Sequence, residues 1–531
     1  MRRYIYNFYS LLIVLIFSAC EKNPIEEQEL PYLFRPVNIV VDASSTTVKI
    51  SWSDLQKSDS YKVEIYQDNL EFINLVDSET VTKPMYSTTL EGDMLFSLRI
   101  KALSDESGKE SKFVENVTFR TPKENLFKGY ESRMISKGEA EVRWLPNSEV
   151  TKIVLYPSQG GASPIEVLIS DKEKEAGYLT VVELENDTYT IEIKKEDITR
   201  GAVEVVIEGD MFLNSGENLS TAIASAVDGA VIILQDDGMF PLTSYINLNQ
   251  SVKVRSMIPE KPATIFPILG YGGADLFRFS NGVNVDNIEF ENVVLTGSHG
   301  NDISQSQVRY TINMNSGGPA TVNNFLFTNC TIKNFFRTGI YMAYKTGDYI
   351  INNLSFIGCT IQNNGSGSSL AFISFYKDGA DVHNITFRDC TVSKLQNNLI
   401  YGAKSEIESV TLENCTFNEI VMNPSSARLF LDFVSTTAVG AGEIRIINCI
   451  LGETQLGLTK GVRAGNELSL IIEGSYATAD FDDTHGNSIK DILKTYTGNS
   501  TSLWVDPKNG DFSFLDNNFE GKLTAGDPRW R

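Results

Sequence analysis

The chain has 531 residues, which is too long for one compact core, so several domains or an elongated repeat structure are expected. Its 46 Lys and Arg residues stand against 68 Asp and Glu residues, giving a formal net charge of −22. General nucleic-acid binding requires a basic surface, so this balance argues against that class of function. The net charge says little about local basic patches.

The N-terminus has the pattern of an export signal. Two arginines follow Met1, an apolar run spans 11–17, and small residues precede Cys20. This pattern is typical of a signal peptide and is too short for a membrane span. Residues 17–20 resemble a bacterial lipobox, which implies removal of residues 1–19 and lipid attachment at Cys20; an ordinary signal peptide is the alternative. Residues 20–30 are predicted to form a flexible acidic tether.

Two segments of alternating strands follow, at 31–122 and 123–212. Each carries a tryptophan on an inward position of an early strand, Trp52 and Trp144, and the second has Tyr189 near the start of a late strand. Both segments resemble fibronectin type III sandwiches, which have this size and this type of core. The two tryptophans are therefore predicted to be core residues.

From 288 to 451, one short phrase occurs six times. An apolar residue occupies the same slot of each copy: Val293, Cys330, Cys359, Cys390, Cys415 and Cys449. A period of 25 to 37 residues with alternating apolar positions is typical of a solenoid of strands. The cysteines should then stack inward about 5 Å apart as free thiols. No CxxC or histidine spacing indicates a metal site.

The predicted solenoid spans 213–475. It opens with an amphipathic helix pattern at 216–229 and an apolar strand at 230–234. This order resembles the start of pectate-lyase-like right-handed parallel β-helices, in which the helix would cover the open end of the stack. Residues 476–531 resemble the closing segment of exported β-helix proteins and are predicted to be a C-terminal cap.

The predicted fold class is all-β. Two fibronectin type III-like sandwiches are followed by a right-handed parallel β-helix with an N-terminal capping helix and a C-terminal capping tail. Four asparagines lie six residues before the cysteine slot, at Asn287, Asn324, Asn353 and Asn384. We interpret them as a structural ladder rather than as binding residues.

Functional candidates come from the second strand of each coil. Basic residues recur near its start and at its end: Arg309, Arg337, Arg428, Lys345, Lys377 and Lys404. Like charges 5 Å apart repel by about 1 kcal/mol in water and about 3 kcal/mol near a protein surface, so such rows favour an accompanying anion. They predict a groove for a polyanion, such as a uronic-acid or sulfated glycan.

Two further features of these strands bear on the groove. Tyrosines adjoin the lysines at Tyr344, Tyr376 and Tyr401, where they could stack on sugar faces or pack within the coils. Carboxylates that could instead neutralise the lysines are Asp348, Asp378, Asp381 and Glu406.

The resemblance to β-helix lyases implies a catalytic alternative. Such lyases pair a Lys or Arg base with neutralisation of the uronate by calcium or by further basic groups. Lys404 and Arg428 form the candidate catalytic pair, because they lie on adjacent coils and Lys404-Ser405 resembles a Lys-Ser element of chondroitinase-B-like lyases. Calcium would be a cofactor only in this case, and no other cofactor or metal is identified.

The resemblance as a whole is to surface lipoproteins of Bacteroidetes polysaccharide-utilisation systems. It implies a monomer anchored by lipid to the outer membrane and exposed at the cell surface. Its expected partner is an acidic polysaccharide, bound through one face of the β-helix without established catalysis, and nucleic acid is not expected. A polysaccharide lyase acting by β-elimination and a structural or adhesive surface protein are the two alternatives.

Overall fold

The computed structural model describes residues 32–44, 46–105, 109–159, 163–235, 237–299, 308–314, 319–342, 348–367, 370–465 and 467–531. The predictions for the signal peptide, the tether, Cys20, Tyr344 and Lys345 lie outside these residues. Within them, no helix combines the length and the apolar character needed to cross a membrane. The chain divides into two compact units, one of which holds Val206–Arg531 with the short segments Met134–Ala140 and Val182–Asp187.

The first sandwich contains two antiparallel sheets. The three-stranded sheet is Val40–Asp42, Thr47–Ser51 and Met85–Thr89, and the four-stranded sheet is Leu75–Val81, Ser60–Tyr66, Leu95–Leu103 and Val114–Arg120. Alternating side chains of the strands face a shared core. Trp52 is buried in this core, with its ring centroid 5.2 Å from that of Tyr61 in an edge-on arrangement.

The second sandwich repeats this strand order. Its four-stranded sheet is Ile165–Leu168, Lys152–Pro157, Asp187–Lys195 and Ile198–Ile207, and its three-stranded sheet is Tyr178–Val181, Glu139–Arg143 and Arg133–Ser136. A short helix, Asp171–Ala176, begins with a capping box formed by Ser170 and Glu173. Trp144 is fully buried. The prediction of two sandwiches with tryptophan cores is confirmed.

The remaining strands form three parallel sheets, which we call A, B and C. Sheet A stacks Met211–Leu213, Ala230–Leu234, Val252–Ser256, Val283–Glu291, Ala320–Thr328, Tyr349–Ile357, Ala380–Arg388, Glu406–Glu413, Thr437–Ile447 and Ser469–Glu473. Sheet B stacks Met239–Leu242, Thr264–Pro267, Val294–Thr296, Thr331–Lys333, Thr360–Asn364, Thr391–Leu395, Thr416–Asn418, Ile450–Leu451, Tyr476–Ala477 and Lys494–Thr495. Sheet C stacks Ile246–Asn247, Asp275–Arg278, Tyr310–Asn313, Thr338–Met342, Ile373–Phe375, Ile400–Tyr401, Arg428–Asp432 and Thr459–Arg463. Eight coils, from Ala230 to Arg463, each contribute one strand to each sheet, so the parallel β-helix is confirmed.

The repeated phrase forms the corner between sheets A and B. The residue before the cysteine slot adopts a left-handed conformation in successive coils, with φ of 53° at Asn329, 56° at Asp389 and 52° at Asn414. Asn and Asp tolerate this conformation better than other non-glycine residues, and Gly358 takes the same place in one coil. The chain can therefore turn sharply there and direct the next side chain inward.

The cysteines form the inward column that the spacing predicts. All five in the repeat are free and buried. The Cys330 thiol donates to the Phe290 carbonyl oxygen at 3.2 Å, and the Cys390 thiol donates to that of Phe356 at 3.2 Å. Burial raises the pKa of the Cys390 thiol well above its usual value, so the thiol stays protonated. These cysteines act as small apolar core residues.

Asparagine side chains tie successive coils together on sheet A. The Asn324 amide donates to Asn287 Oδ1 at 2.9 Å, and the Asn353 amide donates to Asn324 Oδ1 at 2.9 Å. At the next coil, the Asn384 amide instead donates to Glu408 at 3.0 Å. The structural interpretation of this ladder is confirmed, and its last member continues through a carboxylate.

The β-helix begins under a helix and continues into a tail. Helix Leu219–Ser225 is capped by Asn218 and buries Leu219, Ala222 and Ile223 against the core, as predicted for a capping helix. The tail contains helix Ser500–Leu503, the antiparallel strands Trp504–Asp506 and Asp511–Phe514, and the short 3-10 helices Pro507–Asn509 and Pro528–Trp530.

The tail also runs back along the outer side of sheet B. The Asp527 carboxylate accepts from Thr391 Oγ1 at 2.6 Å, and the indole of Trp530 donates to the same oxygen at 2.8 Å. One coil further, Arg529 donates to Thr360 Oγ1 at 3.2 Å. The tail packs on the solenoid as predicted, and its contacts reach coils far from the end of the stack. Closure of the far end stays a prediction.

Candidate functional site

The predicted arginines share one edge of sheet C. The backbone N–H of Arg337 donates to the Arg309 carbonyl at 3.1 Å, so these residues are neighbours in adjacent coils. Strand pairing continues the row through Leu370 and Asn397 to Arg428, whose Nε donates to Asn397 Oδ1 at 3.3 Å. The shared position of the three arginines is thus correct, with two uncharged residues between Arg337 and Arg428.

The predicted catalytic pair does not come together. Lys404 follows the sheet C strand Ile400–Tyr401, and its backbone N–H donates to the Val434 carbonyl of the next coil at 3.3 Å. Arg428 lies six residues before Val434 on that coil, at the opposite end of its strand. At about 3.3 Å per residue, this places the two roughly 20 Å apart. Lys404 and Arg428 therefore occupy opposite edges of sheet C.

We call the edge of sheet C with Arg309, Arg337 and Arg428 the arginine edge, and the opposite edge, with Lys377 and Lys404, the lysine edge. The two lysines differ in their surroundings. Lys404 Nζ lies 3.5 Å from an Asp378 carboxylate oxygen, and both side chains are exposed. This contact supports the neutralising alternative at Lys404, although solvent keeps such a pair weak. Lys377 instead places its ammonium 5.1 Å from the centroid of the Tyr376 ring.

The tyrosines of sheet C cover one another. The rings of Tyr310 and Tyr341 are parallel with centroids 4.9 Å apart, and those of Tyr376 and Tyr401 are 5.1 Å apart. The planes of the two rings are inclined by only 8° in the first pair and 13° in the second, so each ring covers a face of its partner. The geometry therefore favours the packing alternative over sugar-face stacking for Tyr376 and Tyr401. Sequence reasoning missed Tyr310 and Tyr341.

The tyrosine strip consists of Tyr310, Tyr341, Tyr376 and Tyr401, and its hydroxyls remain available for hydrogen bonding. Burial raises the pKa of Tyr341 and of Tyr401 above the usual tyrosine value, so both hydroxyls stay protonated near neutral pH. The Tyr341 and Tyr376 hydroxyl oxygens are 3.5 Å apart, and Arg337 Nη1 donates to the Tyr310 hydroxyl at 3.2 Å. The strip can thus offer both donors and acceptors to a polar ligand.

Not every basic side chain of sheet C is free to bind an anion. Arg463 Nε and Nη2 donate to the two carboxylate oxygens of Asp432, each at 2.7 Å, and Arg278 pairs with Asp275. In the described part of the chain, no carboxylate lies within 4.0 Å of Arg309, Arg337, Lys377 or Arg428. The Nε atom of Arg337 is buried without a hydrogen-bond partner. These four residues carry uncompensated positive charge, and we call them the basic surface.

A groove of about 500 Å³ lies at the turns from sheet B to sheet C. Its lining is mostly polar: Asn334, Asn363, Asn364, Ser366, Lys394, Gln396, Glu419 and Met422. Equivalent turn residues of successive coils are left-handed, with φ of 62° at Asn334, 55° at Asn363, 56° at Lys394 and 50° at Glu419. All four lie four residues after the cysteine slot of their coil. Alignment on that slot could have found this row, which sequence reasoning missed.

Glu419 is the least solvated charged group of the groove. Its Oε2 atom is buried and has no hydrogen-bond partner. Burial raises the pKa of this carboxyl, Lys394 on the preceding coil partly opposes the shift, and Glu453 on the next coil adds to it. Among the residues that the structure describes, no side-chain hydrogen bond is made by Asn363, Lys394 or Gln396. Several polar groups of the groove are thus available to a ligand.

Calcium would enter only with the lyase alternative. Across the described ranges, no group of three or more His, Cys, Asp or Glu side chains is placed to hold a metal ion.

Comparisons with known proteins add little about function. A family model described as a domain of unknown function, DUF5123, matches residues 410–530, which are the last coils and the tail. No curated protein matches the chain. The match to this family covers less than half of the chain and does not assign the whole protein to it.

Two solved structures are similar to part of the chain. The FN1–FN3 domains of chicken CNTN1 are 15% identical with a TM-score of 0.15, and the match covers 33% of this chain and 68% of that one. A two fibronectin type III domain segment from chicken tenascin is 18% identical with a TM-score of 0.20, over 32% of this chain and 97% of that one. Such scores carry no argument, and the description of the sandwiches rests on their strand order.

Proposed function

We propose that the β-helix binds an acidic polysaccharide along the outer side of sheet C. The observation that carries this proposal is the basic surface, Arg309, Arg337, Lys377 and Arg428, which has no carboxylate partner within 4.0 Å in the described residues. The protein as a whole has a formal net charge of −22. Uncompensated cations in an acidic protein favour a polyanionic ligand, because repulsion among them is relieved only when anions approach.

The arrangement suits an extended ligand. The arginine edge extends over five coils from Arg309 to Arg428, or roughly 20 Å at about 4.8 Å per coil. Guanidinium groups can bind carboxylates or sulfates through two parallel hydrogen bonds, which a lysine cannot do. Tyrosine hydroxyls lie between this edge and Lys377 and could bind sugar hydroxyls. A chain of acidic sugars would therefore meet charged and neutral donors in turn.

Binding fits the geometry better than β-elimination does. A lyase needs a base within hydrogen-bond reach of the C5 proton and a neutralising group beside the same sugar. Lys404 and Arg428 are roughly 20 Å apart by strand register, so they cannot serve one sugar together. Export as a surface lipoprotein, which the N-terminal pattern predicts, would place the binding face outside the cell.

Affinity electrophoresis tests the proposal. The protein would be run through gels containing polygalacturonate, alginate or chondroitin sulfate, and retardation by at least one polymer is expected. The triple variant Arg309→Ala, Arg337→Ala, Arg428→Ala should lose the retardation. A matched variant that removes three exposed lysines of the sandwich domains, Lys57, Lys83 and Lys128, should keep it.

Two results would contradict the proposal. One is equal mobility in the presence and absence of every polymer, and the other is equal loss of retardation in both triple variants. Ultraviolet absorbance of the same incubations would detect unsaturated products and so identify a lyase.

A further inference from the structure

The groove at the turns from sheet B to sheet C differs chemically from the basic surface. Its charged side chains are one lysine and one glutamate, Lys394 and Glu419, on adjacent coils. The other polar groups that lack side-chain partners in the described chain are the amides of Asn363 and Gln396 and the hydroxyl of Ser366. The charges of the groove are balanced, whereas the basic surface carries positive charge alone.

The left-handed row at this corner changes from asparagine to charged residues within the groove. Lys394 and Glu419 have left-handed φ values of 56° and 50°, whereas Asn occupies the same row in the two preceding coils. A non-glycine residue is strained in this conformation, and Asn lowers that strain by local hydrogen bonding. Strained positions of this kind concentrate at functional sites. Lys404, Glu183 and Glu196 share this conformation elsewhere in the chain, so the change from Asn bears on the groove only together with the unpaired side chains there.

Asn364, at the bottom of the groove, is held in place by hydrogen bonds, whereas other polar groups of the groove have no hydrogen-bond partner in the described part of the chain. Asn364 is buried, its amide donates to the Ile332 carbonyl at 3.2 Å, and its Oδ1 accepts from the backbone N–H of Phe335 at 3.0 Å. By contrast, Oε2 of Glu419 is buried without a partner. A buried acceptor without a hydrogen bond is costly. The other carboxylate oxygen of Glu419 is not buried, so a ligand donor can reach it.

The mixture of partners fits hydroxyl groups. A sugar hydroxyl both donates and accepts, so it matches an ammonium donor, a carboxylate acceptor and amides that do both. An anionic ligand in the groove would be repelled by the Glu419 carboxylate, and a cationic ligand would be repelled by the Lys394 ammonium. A volume of about 500 Å³ lies within the range of small-ligand sites.

We infer that this groove binds an uncharged, hydroxyl-rich sugar unit, held by Glu419, Lys394, Gln396 and Asn363. The inference deepens the proposed function and rests on it in one respect. A glycan bound to both the groove and the basic surface would contain acidic and neutral sugars. The two places are close along the chain, because Gln396 precedes Asn397 of the arginine edge. Asn364 also lines a small internal space together with Arg337 and Asn397.

An array of hexasaccharides tests the inference on the purified protein. It would contain neutral hexasaccharides derived from xylan, mannan, galactan, arabinan and cellulose, beside oligogalacturonates. Wild-type protein should bind at least one neutral hexasaccharide. Lys394→Gln and Glu419→Ala should each weaken that binding at least about tenfold, because hydrogen bonds to charged groups are stronger than those between neutral groups. The matched control is Glu453→Gln, in the same row one coil on and outside the lining of the groove, which should bind as wild type does.

Failure of this inference is distinguishable from failure of the proposed function. Binding of oligogalacturonate without any neutral hexasaccharide would overturn the neutral site and leave the basic surface standing. Neutral binding that Glu453→Gln weakens as much as Glu419→Ala would also overturn the site. The triple arginine variant should lose the oligogalacturonates and keep the neutral hexasaccharide. Circular dichroism of each variant would show that the β-helix remains folded.

Discussion

The two corners that flank sheet B use the same backbone conformation for different purposes. At the corner from sheet A, the left-handed position holds Asn, Asp or Gly, as at Asn329, Gly358 and Asp389. At the corner to sheet C, the row changes from Asn334 and Asn363 to Lys394 and Glu419. The first corner is occupied by residues that tolerate the turn, and the second departs from them where the groove lies.

The largest effect is expected at the structural corner. Asn414 has a φ of 52°, and its amide donates to Asp389 Oδ1 at 3.0 Å. Asn414→Val should lower the free energy of unfolding by about 2–3 kcal/mol, because a β-branched residue is strained there and the hydrogen bond is lost. Denaturant titration measures the change. Asn414→Gly, which keeps the turn, should lose less, and equal losses would show that the turn conformation does not matter.

A smaller effect of opposite sign is expected at the groove corner. Glu419→Asn should stabilise the protein by about 1 kcal/mol, because Asn tolerates the left-handed conformation and removes a poorly solvated carboxylate. The same denaturant titration applies. If this variant is destabilised as strongly as Asn414→Val, the two corners have the same role and the comparison fails.

The pH dependence of stability sharpens the comparison further. Burial raises the folded-state pKa of Glu419, so the stability contributed by its protonated form is present below the unfolded value of about 4.3 and is lost as pH rises. Glu419→Gln should therefore be more stable than wild type at pH 8 and nearly equal to it at pH 4. Thermal unfolding at several pH values measures the difference, and a difference that does not vary with pH would contradict the raised pKa.

The smallest effect concerns the lysine edge. Asp378 and Lys404 form an exposed ion pair of the kind that contributes about 0–1 kcal/mol. Asp378→Asn should leave the unfolding temperature unchanged and strengthen polygalacturonate binding by up to a few-fold, because it frees one cation. Weaker polyanion binding in this variant would exclude the lysine edge from the binding surface.

Much of the fold could be predicted because the cysteine position repeats once in each coil. Cys330, Cys359 and their equivalents fix the register of sheets A and B, where the connection is only two residues long, such as Asn329 and Cys330. The same alignment would have located Glu419 had the residue four positions after each cysteine been compared. The signal would have been a charged residue at a position that holds Asn in two earlier coils.

The site was predicted less well because knowing which coils are adjacent does not fix where along its strand each residue lies. Alignment correctly placed Arg309 and Arg337 in one row. It paired Lys404 with Arg428 because they lie on adjacent coils, although the strand between them separates their side chains. The mutual stacking of Tyr376 and Tyr401 follows from side-chain orientation, which the order of residues along the chain does not reveal.

The central claim is that the basic surface binds a polyanion, and the salt dependence of binding tests it most directly. Isothermal titration calorimetry with polygalacturonate would compare wild-type protein and the triple arginine variant from low to physiological ionic strength. The affinity of the wild type should fall steeply as salt screens the charges, and the variant should bind more weakly with a shallower dependence. Wild-type affinity that does not change with salt, or the same slope in both proteins, would contradict the claim.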